Sequence, residues 1–91
     1  MIVVTGYILV RPGRRDEFVA LSEPAIVKAR KHRACQMFVV AADPLEADRV
    51  VVSEVWTSRA ELLAFRGQGP GAGLSALIVS ADVREFSVSD A

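Results

Sequence analysis

The sequence is poor in the residues that form most catalytic and metal-binding sites. Its 91 residues include one cysteine, Cys35, and one histidine, His32. A single cysteine excludes an internal disulfide and a site built from several cysteines, and we predict no metal site. His32 falls in the basic run RKHR at 30–33, where we expect a solvated helix end rather than a catalytic base. No serine has a plausible histidine partner, which disfavours a serine hydrolase.

Net charge and long hydrophobic runs are also missing. Eleven basic and eleven acidic residues cancel, so no overall positive field favours nucleic acid or an anionic membrane. No apolar run approaches the roughly 18 residues of a membrane span, and no signal-peptide pattern opens the chain. We therefore expect one soluble domain over residues 1–91, cytoplasmic, with no nucleic-acid or membrane partner.

A glycine-rich stretch, FRGQGPGAG at 65–73, formally matches the dinucleotide-binding pattern G-x-G-x-x-G/A. That pattern must follow a strand and open a helix within a βαβ unit of about 30 residues. Here it follows a predicted helix, and only 18 residues remain after Gly73. No lysine follows the glycines, which excludes a Walker-type loop. We interpret the stretch as a helix end and connector, with a lid over a pocket as an additional role.

Hydrophobic patterning predicts four strands separated by helices in the order βαββαβ. The predicted strands cover residues 1–10, 35–42 and 49–57, and the last lies within 79–88. This order is typical of the ferredoxin-like α+β fold, a four-stranded antiparallel sheet with helices on one face. In the last strand, Val83 and Phe86 have opposite parity, so its inward face stays open.

The predicted helices cover residues 14–33 and 58–65, with a short helical piece around 74–78. Pro24 lies inside the first helix and removes a backbone donor, so we expect a kink or a break there. Ser58 followed by Glu61 predicts a capping box at the start of the second helix. Gly67 is well placed to end that helix.

Both faces of the predicted sheet are apolar. In the first strand, Ile2, Val4 and Ile8 alternate with Val3 and Tyr7, and the next two strands behave in the same way. Two helices can cover only one face, whereas an ordinary antiparallel sheet leaves the other face polar. A second copy of the chain is the economical cover, and we predict a homodimer packed sheet to sheet.

The remaining chemistry-bearing residues are aromatic, acidic and basic: Tyr7, Phe38, Glu54, Trp56, Phe65 and Arg66. Glu54 and Trp56 share one face of the third strand. If that face looks toward the helices, Glu54 borders an apolar cavity, where desolvation would raise its pKa toward that of a useful base. The alternative is that Trp56 is core only and that Glu54 pairs with an arginine such as Arg66 or Arg84.

Three stretches of the chain carry a resemblance to a known family. They are Gly6-Tyr7 with RPGRRDEF at 11–18, then Ala29-Arg30 with Cys35 and Phe38, then EVWTS at 54–58 with Ala60 and Phe65. Together they resemble the antibiotic biosynthesis monooxygenase domain of the dimeric α+β barrel superfamily, over about residues 2–88. The most specific piece is E-x-W-x-S between a strand and a helix.

The resemblance implies a dimeric α+β barrel and a cofactor-independent monooxygenase acting on a small aromatic, quinol-type substrate. A deprotonated dihydroxyaromatic can itself reduce O₂, so no cofactor is expected. By the resemblance, Trp56 matches the family's strand tryptophan and would form a pocket wall or donate its N–H to a substrate oxygen. We add Glu54 and Tyr7 as further catalytic candidates, chosen by reach. The substrate-binding candidates are Phe38, Phe65 and Arg66.

Two departures from the family pattern accompany the resemblance. Many relatives carry a histidine in or just after the second helix, where this chain has Arg66 and then glycines. Others carry an asparagine near the middle of the third strand, where this chain has Val51 and Val52. Two alternatives to an enzyme therefore stay open. One is a non-catalytic dimeric module that binds an apolar small molecule. The other is a domain with no ligand, favoured if Trp56 and Phe65 touch and leave no cavity.

Overall fold

The computed structural model describes residues 1–67 and 72–89. The strands are β1 (Ile2–Val10), β2 (Cys35–Ala42), β3 (Arg49–Trp56) and β4 (Ile78–Ser87), and the helices are α1 (Arg15–Arg30), α2 (Arg59–Arg66) and α3 (Ala72–Leu77). The predicted βαββαβ order is confirmed, with α3 as the short helical piece. Residues 68–71 of the glycine-rich stretch lie outside the described residues, so the lid stays a prediction.

The four strands form one antiparallel sheet in the order β2-β3-β1-β4. This order confirms the ferredoxin-like α+β fold, because each βαβ crossover skips one position in the sheet. The register aligns residues into rows that share a face. One such row runs Phe38, Glu54, Val4 and Glu85 across the four strands. The sheet thereby brings two carboxyl groups from distant parts of the chain onto one face.

Helix α1 passes through Pro24 without interruption, so the predicted break does not occur. Proline removes the bond that its nitrogen would donate to the carbonyl of Ala20. Both residues are exposed, so water can hydrate that carbonyl. On the inner side, Phe18, Ser22 and Ala29 are buried, and their packing holds the helix across the proline.

The turn before α1 and the start of α2 follow the predicted local chemistry. Gly13 adopts φ 76° between Pro12 and Arg14, and the Arg14 amide donates to the carbonyl of Arg11 at 3.0 Å. Proline and then glycine at the centre of a turn are typical of type II. At α2, Ser58 Oγ accepts from the backbone amide of Glu61 at 3.3 Å, which is one half of the predicted capping box. The other half is not formed among the described residues, because the Glu61 carboxylate faces His32. The helix ends at the predicted Gly67.

The sheet has an inner face under the helices and an outer face without a covering element among the described residues. Buried inner side chains form two clusters, one around Trp56 and Val4 and the other around Phe18 and Val50. Pairing settles the orientation of β4, because Val83 pairs with Gly6 on the inner face and Phe86 with Val3 on the outer face. The outer face carries apolar side chains from all four strands: Val3, Tyr7, Leu9, Met37, Val39, Val51, Val55 and Phe86. Polar side chains share this face: Thr5, Arg49, Ser53, Asp82 and Arg84.

None of the described helices combines the length and apolar character that crossing a bilayer would require.

Candidate functional site

A cavity of about 620 Å³ lies between the inner face of the sheet and the helices. Its walls come from all four strands and all three helices, and they are predominantly apolar. The aromatic part of the wall is Phe18, Phe38 and Phe65. Of the lining side chains that the structure describes, four are polar: Ser22, Lys28, Glu54 and Arg66. A concave apolar site with a few polar groups is the usual form of a small-molecule pocket.

Glu54 is the carboxyl group inside this cavity and is 8% exposed. Its Oε1 accepts a hydrogen bond of 2.9 Å from the indole N–H of Trp56. The two residues alternate with Val55 on β3, so their side chains leave the same face and meet directly. Within residues 1–67 and 72–89, Oε2 has no hydrogen-bond partner. Glu54 is therefore held at one oxygen and free to meet a ligand at the other.

Burial raises the pKa of Glu54 above its ordinary value of 4.5. The Trp56 hydrogen bond and the Arg66 charge act in the opposite direction, and the Glu85 charge raises the pKa slightly. Desolvation is the largest effect because water that would hydrate the carboxylate is replaced by apolar walls. A carboxyl group with a raised pKa is a stronger base once ionised, which is the property that proton abstraction needs.

An aromatic cluster surrounds this carboxyl group. Trp56 is fully buried, and its ring centroid lies 5.4 Å from that of Phe65, which lies 5.5 Å from that of Phe38. Trp56 and Phe65 thus touch, yet the cavity beside them remains. Because of that cavity, the structure does not match the closed, ligand-free alternative. The Trp56 N–H is engaged by Glu54, so Trp56 acts on the cavity through Glu54.

Arg66 and Glu85 form an ion pair beside the cavity. Arg66 Nη1 lies 3.1 Å from Glu85 Oε2, and Arg59 Nη1 lies 3.3 Å from Glu85 Oε1. Glu54 therefore has no arginine partner within salt-bridge distance among the described residues. The expected alternative of a Glu54–arginine pair is wrong, because Arg66 pairs with Glu85 on β4 and Arg84 pairs with Asp82.

Comparison with known proteins assigns the chain to a family. The sequence model of the family described as antibiotic biosynthesis monooxygenase matches residues 1–70. The chain belongs to the antibiotic biosynthesis monooxygenase family. An uncharacterised protein of the cyanobacterium Synechocystis is 38% identical over 61 residues, which are 67% of this chain and 42% of that protein. The chain thus spans about two fifths of the length of this curated relative.

Solved structures agree with this assignment. A candidate antibiotic biosynthesis monooxygenase from Chloroflexus aurantiacus is similar with a TM-score of 0.82 and 25% identity, over 99% of this chain and 94% of that one. A second, from Deinococcus radiodurans, has a TM-score of 0.86 and 12% identity, over 100% and 95%. The second likeness establishes the fold alone. The family resemblance and the ferredoxin-like α+β fold expected from the sequence are both confirmed, and the dimer stays a prediction.

The antibiotic biosynthesis monooxygenase fold separates Tyr7 from the other candidate residues. Tyr7 pairs with Val51 on the outer face of the sheet, and the Arg49 guanidinium carbon lies 4.7 Å from its ring centroid. Glu54 and Trp56 occupy the inner face. Odd and even positions of β1 point to opposite faces, so Tyr7 is not a member of this cavity. Glu54, Phe38, Phe65 and Arg66 line it, and Trp56 lies directly behind Glu54.

His32 and Cys35 are placed differently from each other. His32 is only partly solvated: 31% of its side chain is exposed, and its ring centroid lies 5.9 Å from those of both Trp56 and Phe65. Its Nδ1 lies 3.8 Å from Glu61 Oε2, so the Glu61 side chain faces His32 while its amide is capped by Ser58. Cys35 Sγ contacts the carbonyl of Met37 at 3.4 Å, and burial raises the pKa of its thiol. Cys35 is partly buried and packs against the core cluster around Trp56.

Sequence reasoning missed Ser22, Lys28 and Glu85. Ser22 lines the cavity, and its hydroxyl donates to the carbonyl of Phe18 at 2.8 Å. Helical spacing from the apolar Phe18 could have pointed to Ser22, which lies four positions on in the predicted first helix. Glu85 could not be found, because its row beside Val4 and Glu54 depends on the register of β4. Among residues 1–67 and 72–89, no three histidine, cysteine or acidic side chains are grouped to hold a metal ion.

Proposed function

We propose that the protein is a cofactor-independent monooxygenase that uses O₂ on a small aromatic, quinol-type substrate, with Glu54 as the catalytic base. The observation that carries this proposal is a buried carboxyl group with a raised pKa and one free oxygen, inside an otherwise apolar cavity. Family membership supports the reaction type, and the cavity supports the class of substrate.

The cavity suits a flat, electron-rich aromatic molecule. Its volume of about 620 Å³ is within the range of roughly 300–1,000 Å³ that small-molecule pockets occupy. Phe38 and Phe65 offer ring faces and edges to an aromatic ligand, an arrangement that favours stacked and edge-on contacts. The apolar walls also keep water away from reactive intermediates.

The proposed reaction needs one proton acceptor and no external reductant. The ionised carboxylate of Glu54 takes the proton of a substrate phenol on its free Oε2. The resulting phenolate supplies the electrons that reduce O₂. Where the oxidised carbon is a methylene between aromatic rings, it becomes a carbonyl. One oxygen atom is retained in that carbonyl, and the other leaves as water with the two methylene hydrogens. Glu54 returns its proton and is unchanged overall.

Oxygen uptake tests the base directly. Purified protein is assayed with a panel of dihydroxynaphthalenes and anthrone-like phenols, beside the variant Glu54→Gln. Glutamine keeps an acceptor for the Trp56 N–H but cannot take the phenol proton. Removing a general base lowers the rate by roughly 10²–10⁴-fold, and we expect a loss of that size. Glu46→Gln, an exposed residue of the β2–β3 loop, is the matched control and should keep full activity.

The same assay separates the enzyme from the binding module. The monooxygenase is supported if the protein takes up oxygen faster than the substrate autoxidises and if Glu54→Gln abolishes that excess uptake. Ligand binding without any uptake contradicts catalysis on these substrates and leaves a module that holds an aromatic small molecule. Equal uptake by Glu54→Gln and the unaltered protein contradicts the role of Glu54 as the base.

We further propose that the protein forms a homodimer through the outer face of its sheet. This face exposes large apolar side chains, among them Met37 at 47%, Phe86 at 48% and Val51 at 37%. Large apolar side chains exposed on an uncovered sheet face mark an interaction site, and a twofold axis lets one patch pack against itself. The charged residues Arg84 and Asp82 lie on the β4 edge of this face and pair with each other.

Placing a charge in the centre of the outer face should disrupt this dimer. Val51 pairs with Tyr7 and Ala41 in the middle of the sheet, and Val51→Arg would bury a guanidinium without a partner. We expect sedimentation velocity to show a dimer for the unaltered protein and a monomer for Val51→Arg. Leu63→Arg, at an exposed position on α2, is the control and should stay dimeric. A monomeric unaltered protein at micromolar concentration would overturn the proposal.

A further inference from the structure

Two cationic side chains lie at the opening of the cavity. Lys28 projects from α1 and Arg66 from α2, and both line the cavity while remaining exposed to solvent. Among the described residues that line it, Glu54 is the only acidic one, and it is buried. The cavity is therefore apolar within and basic at its opening.

Within residues 1–67 and 72–89, acidic side chains do not balance the positive charge at the opening. Arg66 shares the Glu85 carboxylate with Arg59, so two guanidinium groups face one negative charge. Lys28 has no carboxylate within salt-bridge distance in the part of the chain that the structure describes. An excess of positive charge beside a hydrophobic cavity favours a ligand with the opposite charge at one end.

We infer that the ligand is an aromatic acid, whose carboxylate binds at the cavity opening between Lys28 and Arg66 while its ring system lies on the apolar walls. This inference deepens the proposed function and rests on its cavity. Lysine contributes a point charge, and arginine a planar fork that suits a carboxylate. The two residues act as specificity determinants: they set which end of the molecule faces solvent and so which end reaches Glu54.

Binding of a matched pair of probes tests the inference without any turnover. 2-Naphthoate and 2-naphthamide have nearly the same shape and differ in charge, and calorimetric titration gives the Kd of each. We expect the unaltered protein to bind the acid about tenfold more tightly than the amide, since charge-assisted hydrogen bonds are stronger than neutral ones. Lys28→Met and Arg66→Gln should each reduce this preference about threefold, as half-exposed ion pairs do, and the double variant should abolish it.

Controls and outcomes separate this inference from the proposed function. Lys31→Met removes a neighbouring charge of the same stretch that does not line this cavity, and it should keep the preference. Circular dichroism checks that Arg66→Gln stays folded after losing its Glu85 pair. Preference for the acid without oxygen uptake supports the inference and contradicts the monooxygenase. Oxygen uptake with equal binding of the acid and the amide supports the monooxygenase and contradicts the inference. Binding of neither probe overturns the inference.

Discussion

Gly6→Ala is expected to lower the free energy of unfolding by at least about 3 kcal/mol, the range of the most damaging single substitutions. A Cβ atom at position 6 would lie 2.0 Å from the carbonyl oxygen of Asp82 and 2.7 Å from the Cα of Val83. Both are backbone atoms of β4, so no side chain can rotate away. Because β4 pairs with β1 alone, the added methyl group would push the whole edge strand outward.

Displacing β4 has a consequence for the cavity as well. Glu85 on that strand holds Arg66 and Arg59, so its movement would release both arginines beside the cavity. Urea denaturation measures the stability change. Gly13→Ala is the matched control, since Gly13 has φ 76° but open space where a Cβ would stand. It should cost only about 1–2 kcal/mol, the strain of a left-handed alanine. A loss at Gly6 no larger than at Gly13 would contradict the close approach of β1 and β4.

Trp56→Ala is expected to destabilise the protein by about 3–5 kcal/mol, the usual cost of removing a large buried aromatic side chain. The tryptophan is fully buried among Val4, Phe38 and Leu62. The substitution also leaves Glu54 without the N–H that it accepts. For a domain with a total stability of about 5–15 kcal/mol, this is a large share. Thermal and urea unfolding measure it, and a loss below about 1 kcal/mol would contradict the core position.

Trp56→Phe separates the hydrogen bond from the packing. Phenylalanine keeps much of the buried ring but has no N–H, so the pKa of Glu54 should rise further. The folded protein already holds this proton more tightly than the unfolded chain, whose carboxyl titrates near 4.5. The contribution of Glu54 to the free energy of unfolding is therefore complete below the unfolded pKa. It is lost as the pH rises through the folded pKa.

The direction in which the stability of Trp56→Phe changes with pH follows from this shift. A higher folded pKa enlarges the loss, so the stability deficit of Trp56→Phe should be greater at about pH 8 than at about pH 4. Urea denaturation of both proteins at the two pH values gives this double difference, in which contributions of the other carboxyl groups cancel. NMR titration of the Glu54 carboxyl follows its pKa directly. A deficit that is the same at both pH values would show that the indole N–H does not stabilise the carboxylate.

Local patterns were sufficient for most elements of the fold. Alternating and helical periodicities located the four strands and three helices, because each face of a strand or helix meets a different environment. Pro24 is an informative exception. The rule that proline interrupts helices is local, whereas the burial of Phe18 and Ala29 on either side of it is a tertiary effect that holds α1 together.

The candidate site was predicted in part. Glu54 and Trp56 are two positions apart on one strand, so strand geometry alone placed them together. Phe38, Phe65 and Arg66 were also identified and do line the cavity. Tyr7 was wrongly grouped with them. Because both faces of β1 are apolar, the sequence pattern did not show whether Tyr7 faces the helices. His32 was read as solvated because the charges around it hide its packing against Trp56 and Phe65.

The sequence by itself determined the element order, the ferredoxin-like class, the family resemblance and the Glu54–Trp56 pair, all of which depend on residues close in the chain or on their pattern. Only the tertiary structure decided which face the helices cover, which residues stand at the cavity opening and which carboxylate the arginines hold. The reason is the sheet register. Val4 lies between Glu54 and Glu85, and pairing of segments far apart in the chain, which no local pattern encodes, brings Arg66 to Glu85 and leaves Glu54 free.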